Sequence, residues 1–513
     1  MIIDAHVHFP FSLDLPEAEW GAWMVRRAAR CGIDALIVSD VFIRGSADAG
    51  AFPSSAALRR ANGYAADQAK RNPGKLYFLA YLNPQNPDWE EELERSLAEG
   101  AIGIKLWISL KGSGGSLDNT VKVLRKAAEK DLPVVIHTFN RADANSEGEL
   151  HISEFAELSR TVPECRLVGA HSGANFRESC GVFSRVSANT CWDVSGTNPD
   201  CALLTYLLRE VPAEKVLYGS DGPGRSFVSQ LHKVTLAPIP DEAKKMILGP
   251  NAVRVFRLPG PFGHEEQPAP GLPAGLPDLR EEHYIFCGRW PFFEGPGVPP
   301  RELESMLAKQ GIEKAFTVSF ESMFRMDLLN ANREFRRACV GLSRVRPLAV
   351  ADPEAKNITE LLSDAAENGD AGVWYSPALL GQDPGSPAAI DFYAECKKRK
   401  LRVYLNGRLG DERFRHRALH LRNLGAGNFE GFFKNAPRHD YVIQGVVPPP
   451  QEMREDCAFT FERLTDSERG LSSFLASKPS TKILWGSEFP FREIDQVRLA
   501  AAGKPFRGED ITK

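Results

Sequence analysis

The stretch Ile2-Ile3-Asp4-Ala5-His6-Val7-His8 sets the reading of this chain. It is apolar enough for a buried strand, yet it carries two imidazoles two residues apart. Strand side chains alternate faces, so His6 and His8 point the same way. Seven further runs of strand length follow: Ala35–Ser39, Leu76–Leu82, Ile102–Trp107, Pro133–Thr138, Arg166–His171, Thr190–Val194 and Val216–Ser220. Most are near-continuous apolar runs, as strands buried on both faces require. Amphipathic stretches such as Trp89–Ala98 and Asp118–Lys130 lie between them. Eight β units alternating with helices predict a (β/α)8 barrel.

The chain has 513 residues, 43 % hydrophobic and 25 % charged, the composition of a folded protein. Such a length fits two barrels of about 250 residues. Pro259–Leu279 carries six prolines and four glycines and is expected to be an extended linker. Beyond it the pattern recurs. Pro84, Gly103 and His137 fall on Pro353, Gly372 and Asn406 at one shift, 269; Tyr218-Gly219-Ser220-Asp221 falls on Trp485-Gly486-Ser487-Glu488 at 267. Phe9-Pro10-Phe11 falls on Trp290-Pro291-Phe292 at 281. The expected organisation is two tandem TIM barrels, the second a degenerate copy: 1–257, a linker over 258–282, and 283–513.

A net charge of −4 gives no global field for a nucleic acid or an anionic membrane. No apolar run approaches the ~20 residues of a membrane span. The start shows no signal-peptide pattern, and nine cysteines without a Cys-x-x-Cys pair read as reduced thiols. A cytoplasmic protein is the expectation.

The polar exceptions to the apolar runs define the candidate site. His137, His171 and Asp221 close their runs as His6 and His8 close the first. All five sit at C-terminal strand ends, the rim where barrel active sites form. Burial there is costly without a partner, and imidazole with carboxylate suits a divalent ion such as zinc.

These residues carry a resemblance. IIDAHVHF, GIKLW, VVIHT, LVGAHSG, VLYGSDGP and ILGPNAVRVF, spread in order over residues 1–257, are similar to the amidohydrolase-related branch of the amidohydrolase superfamily. That branch includes aminocarboxymuconate semialdehyde decarboxylase. The resemblance implies one divalent metal ion held by His6, His8, His137 and Asp221. It implies His171 as an acid/base or an additional ligand. Lys105 stands where two-metal members carry a bridging lysine; a bridging, an electrostatic or substrate, and a structural role all stay open. Trp107 replaces the histidine often found two residues after that lysine.

A metal-bound water has its pKa lowered to about 7. Asp221 and His171 would then be the catalytic acid/base groups. The first reading is a hydrolase of a small carboxylated ester, lactone or amide. The alternative is a non-oxidative decarboxylase of a small aromatic or unsaturated carboxylate, and the lesser one a non-catalytic binding protein. Substrate contacts are expected from Lys105, Trp107, Asn175, Arg177 and Arg225, the arginines suiting a substrate carboxylate. His151 and His232 are expected to face solvent.

In the second half the repeat sets Cys287, Arg289, Asn406 and Glu488 against His6, His8, His137 and Asp221, with Val446 near His171. An arginine does not ligate a cation, so no metal is expected there. An Arg289–Glu488 ion pair is expected in its place. The second barrel is expected to be an intramolecular partner of the first, and the resemblance admits a homo-oligomer.

Overall fold

A computed structural model describes the chain apart from residues 14, 44–51, 143, 197–199, 201, 264–277, 293–296, 412, 414, 417–418, 447–453, 466, 468–469, 478–480 and 503–513. The expected linker lies largely outside the described residues. Two compact units divide near residue 271.

In the first unit the strands are β1 (Ile3–His8), β2 (Ala35–Ser39), β3 (Leu76–Phe78), β4 (Ala80–Leu82), β5 (Ile104–Leu106), β6 (Pro133–His137), β7 (Arg166–Ala170), β8 (Thr190–Asp193) and β9 (Val216–Leu217). All pair in parallel and in chain order. β3 and β4 are two parts of one run, interrupted at Leu79, whose N–H donates to Val38. The ring closes through Ala5 N–H to Tyr218 O at 3.0 Å, Asp221 N–H to His6 O at 2.8 Å and His8 N–H to Gly222 O at 2.8 Å. The strand cores fall where the apolar runs lie; several ends are one or two residues shorter than expected, and β9 stops three residues early.

Alternation along β1 is visible in its packing. Ile3 and Ala5 join the layer of Ala35, Ile37, Val135, Val168 and Leu217, which packs against Ala252, Val255 and Phe256 of the helix Pro250–Phe256. Asp4, His6 and His8 therefore point inward, all under 5 % exposed. Asp4 anchors the floor: Oδ1 accepts from His6 N at 3.2 Å and Ser220 N at 2.9 Å. Burial raises its pKa to about 7, against those hydrogen bonds.

The second unit carries β10 (Glu281–Cys287), β11 (Lys314–Ser319), β12 (Val345–Pro347), β13 (Ala349–Val350), β14 (Val373–Tyr375), β15 (Val403–Asn406), β16 (Tyr441–Gln444), β17 (Cys457–Thr460) and β18 (Ile483–Leu484), again parallel and in order. Hydrogen bonds join its first and last strands: His283 N–H to Trp485 O, Glu488 N–H to Tyr284 O and Phe286 N–H to Phe489 O. Matched through these bonds, His6 lies level with Tyr284 and His8 with Phe286. Cys287 and Arg289 are three residues too far along: the aromatic match at a shift of 281 was a similarity of composition, and the hydrogen-bond ladder sets the register.

Two other expectations change. Arg289 does not pair with Glu488. Its backbone N–H donates to Glu321 at 2.8 Å, while Glu488 is met by Arg463 at 3.1 Å and Arg492 at 3.2 Å. His232 is only 6 % exposed and does not face solvent, because it lies on the buried helix Phe227–Thr235. His151 is exposed and caps the helix Ile152–Thr161, where Glu154 completes a capping box.

Candidate metal centre

The ends of β1, β6, β7, β8 and β9 converge on one cluster. His8 Nδ1 lies 3.1 Å from the Ser39 carbonyl, which fixes the proton on Nδ1 and leaves Nε2 bare. His6 Nδ1 lies 2.8 Å from Asp193 Oδ2, so its Nε2 is bare as well. The two unprotonated nitrogens face each other at 3.1 Å, and the one on His6 also accepts from Lys105 Nζ at 2.9 Å. Asp221 Oδ1 stands 3.4 Å from His8 Nε2.

Lone pairs at that separation repel unless a cation lies between them. Two nitrogens at the usual 2.0–2.1 Å from a tetrahedral zinc are roughly 3.3 Å apart. The donor chemistry and spacing of His6, His8 and Asp221 thus fit a divalent ion, and these three form a metal-capable group. His6, His171 and Asp193 form a second, overlapping one.

His137 does not join the first group among the described residues. Its Nε2 bonds Glu149 at 2.9 Å, and its Nδ1 faces His171 Nε2 at 3.2 Å. His171 Nδ1 in turn lies 3.2 Å from the Ser195 carbonyl and 3.0 Å from Ser195 Oγ. Burial opposes a charge on Glu149, but bonds from His137 and Arg141 outweigh it and hold the pKa at about 2. His8, His137 and His171 are all held below the ordinary histidine value, first by burial and then by neighbouring charges. They stand neutral, the form that ligates or accepts a proton.

Lys105 is 1 % exposed, and its ammonium sits 2.9 Å from His6 Nε2. Burial lowers its pKa to about 8, and Asp193 and Asp221 partly offset that. It remains a cation at neutral pH beside the metal-capable group. Phe42 meets His8 edge-on at 5.7 Å, and Trp107 meets Phe42 at 6.1 Å. On the other side Phe139 stacks on His137 at 5.7 Å. Asn175 is buried just after the β7 end, ahead of the helix Phe176–Ser179. Arg177 is drawn to Asp200 at 3.3 Å and over the Phe176 ring. Arg225 follows Asp221 by one turn, its N–H donating to the Asp221 carbonyl at 3.1 Å.

Sequence reading missed Asp193, Ser195 and Glu149. Asp193 ends a strand exactly as the five flagged residues do, so the same signal could have found it. Glu149 and Ser195 lie on loops, and only the fold brings them in. His171 and Asp221 have φ of 61° and 64°, in the left-handed region that non-glycine residues avoid. That conformation turns each side chain in from the end of its strand.

Residues 3–258 match the family model described as amidohydrolase. No curated protein matches the chain in sequence. Among solved structures, 2,6-dihydroxybenzoate decarboxylase from Rhizobium is 18 % identical, covering 50 % of this chain and 98 % of its own, with a TM-score of 0.40. A dihydroxybenzoic acid decarboxylase from Polaromonas, solved with manganese and 2-nitroresorcinol, is 18 % identical over 50 % and 96 %, with a TM-score of 0.40. 4-Oxalomesaconate hydratase from Rhodopseudomonas palustris is 16 % identical over 50 % and 96 %, with a TM-score of 0.38. The first unit of this chain, over residues 3–258, thus matches the amidohydrolase family.

Proposed function

We propose that the first unit is a metal-dependent, non-oxidative decarboxylase of a small aromatic or unsaturated carboxylate, the reading that the sequence put second to hydrolysis. The observation that carries it is the buried Lys105 ammonium beside His6 together with the aromatic rings that flank the cluster. With a divalent ion on His6, His8 and Asp221, that ammonium makes the positive charge exceed the carboxylates of Asp193 and Asp221. Such a site takes an anion. The walls of Phe42 and Trp107 on one side and Phe139 on the other suit a flat one. The charge alone suits a carboxylated ester, lactone or amide as well; the aromatic walls are what favour a flat, conjugated carboxylate over these.

A bound divalent ion supplies Lewis-acid polarisation of the substrate oxygens. Lys105 holds the substrate anion, and the aromatic walls align its plane. His171, neutral at rest, takes a proton from solvent at Nε2 as the anion enters, because the added negative charge favours imidazolium. The carbon–carboxylate bond then breaks, and its electron pair stays on the substrate carbon. His171 delivers the proton to that carbon, carbon dioxide leaves, and Nε2 is bare again. Carbon dioxide release from hydroxybenzoates and unsaturated diacids, with no turnover of lactones, esters or amides, tests the reading; the opposite pattern restores hydrolysis. The metal's identity, zinc or manganese, comes from elemental analysis of the same sample.

We further infer that the second unit is a diverged copy of the first, with boundaries near 1–257, 258–282 and 283–513. The repeated closure bonds support this. So does the pair of carboxylates, Asp4 and Glu282, each accepting from two backbone N–H groups at its strand start. Asp221 and Glu488 share a left-handed φ, 64° and 62°. Matched through the closure bonds, Tyr284 and Phe286 take the places of His6 and His8, with Asn406 in that of His137 by the sequence match, and among the described residues this copy brings together no ligand set for a metal.

A further inference from the structure

The helix Phe227–Thr235 carries a lysine that the reaction above does not use. Lys233 has no exposure, and its ammonium donates to the carbonyls of Val194 at 3.0 Å and Gly196 at 2.6 Å. Both carbonyls lie past the end of β8, and among the described residues no backbone N–H is bonded to them. They bracket Ser195.

Ser195 faces the site with three groups. Its carbonyl lies 3.2 Å from His171 Nδ1, its Oγ lies 2.8 Å from His6 Nδ1, and its N–H donates to Asp193 Oδ1 at 2.9 Å. Gly196 closes the turn at a φ of 67°. A Cβ there would stand 2.8 Å from His171 Nδ1 and 3.1 Å from Asp221 Oδ2. The backbone of 194–196 is thus pressed against the acid/base histidine, with no room for it to shift toward the ring.

Burying an ammonium is costly, and an uncharged side chain would fill the same volume without that cost. What the charge adds includes strong hydrogen bonds to the peptide planes on either side of the one that carries the Ser195 carbonyl. Their direction sets where the Ser195 carbonyl points.

We propose that Lys233 is a positioning residue for His171. By holding the carbonyls on either side of Ser195, it aims the Ser195 carbonyl at His171 Nδ1. That keeps on Nδ1 the proton that Ser195 Oγ, 3.0 Å away, could otherwise displace by donating, and leaves Nε2, 3.2 Å from His137 Nδ1, as the basic nitrogen. The catalytic consequence rests on the decarboxylase reading; the tautomer does not.

The test uses the full-length, zinc-supplemented protein labelled with 15N-histidine, with the His171 signal among eleven histidines assigned through His171→Gln. Two-bond 1H–15N spectra report the tautomer. The wild-type protein is expected to show His171 protonated on Nδ1. Lys233→Met is expected to stay folded and lose that single tautomer. Its kcat should fall about 10- to 100-fold, as for other residues that orient a functional histidine, with KM held within about twofold. If Lys233→Met does not fold, Lys233→Gln, which keeps an amide donor, is read the same way. Three results overturn the proposal: a wild-type His171 protonated on Nε2, a folded Lys233 variant with an unchanged tautomer, or loss of fold in both variants. A protein inactive on every carboxylate but showing the expected tautomers would overturn the reaction and leave the positioning role standing.

Discussion

His6 and His8 present unprotonated Nε2 atoms to each other at 3.1 Å, each held there by a bond from its other ring nitrogen. Such a pair of acceptors, with Asp221 beside it and Lys105 2.9 Å from His6 Nε2, is a candidate cation site. Dialysis against a chelator is therefore expected to abolish turnover, and a divalent ion to restore it. At 100 times its dissociation constant the ion should add about 2.7 kcal/mol to stability. Calorimetry with and without metal measures this. An unchanged melting temperature would argue against the site.

Asp193 matters through the ring it orients. In Asp193→Asn the acceptor of the His6 Nδ1 proton becomes an amide, which can present an N–H instead and favour the wrong tautomer. Metal affinity is expected to fall about 10- to 100-fold. Competition titration against a fluorescent chelator reads that directly.

His171→Asn should leave metal content near one equivalent while kcat drops by about 100- to 10,000-fold, the usual share of general acid–base catalysis. Loss of metal together with activity would instead make His171 a ligand.

The metal-free protein should carry a pH signature of Lys105. Its pKa falls from 10.5 to about 8 on folding, because burial opposes the charge. Between those values the unfolded chain binds the proton that the folded one has released. Stability contributed by this group therefore rises with pH from about 8 to 10.5. At neutral pH the penalty is about 3 kcal/mol. Lys105→Met should remove the slope, raise stability at pH 7 in chemical denaturation, and abolish turnover through loss of the substrate anion's partner.

In the second unit Glu488 accepts from Arg463, Arg492, Tyr284 and the Gly410 N–H, all within 3.2 Å. Replacing one member of a buried ion pair strands the other charge. Glu488→Gln is expected to destabilise this unit by about 3–5 kcal/mol. Metal content should not change. Differential scanning calorimetry with elemental analysis separates the two effects.

Apolar run length, the alternation of Ile3 and Ala5 against His6 and His8, and polar residues at run ends were enough to place the strands of the first unit and to single out histidines and an aspartate that the fold gathers into one cluster. Those signals are local, because strand periodicity is a property of consecutive residues. The register of the second unit was not legible, since one apolar or aromatic strand can match another at several offsets. Hydrogen bonds between strands far apart in sequence fixed it at Tyr284 and Phe286. Asp193 was legible in principle; Glu149, Ser195 and Lys233 were not. They act through a turn, a backbone carbonyl and a buried ammonium whose partners are chosen only when the chain folds. Residue types at strand ends determined which atoms could bind a metal. The tertiary structure decided which nitrogen of each ring is bare, because a tautomer is set by the partner that the other nitrogen meets.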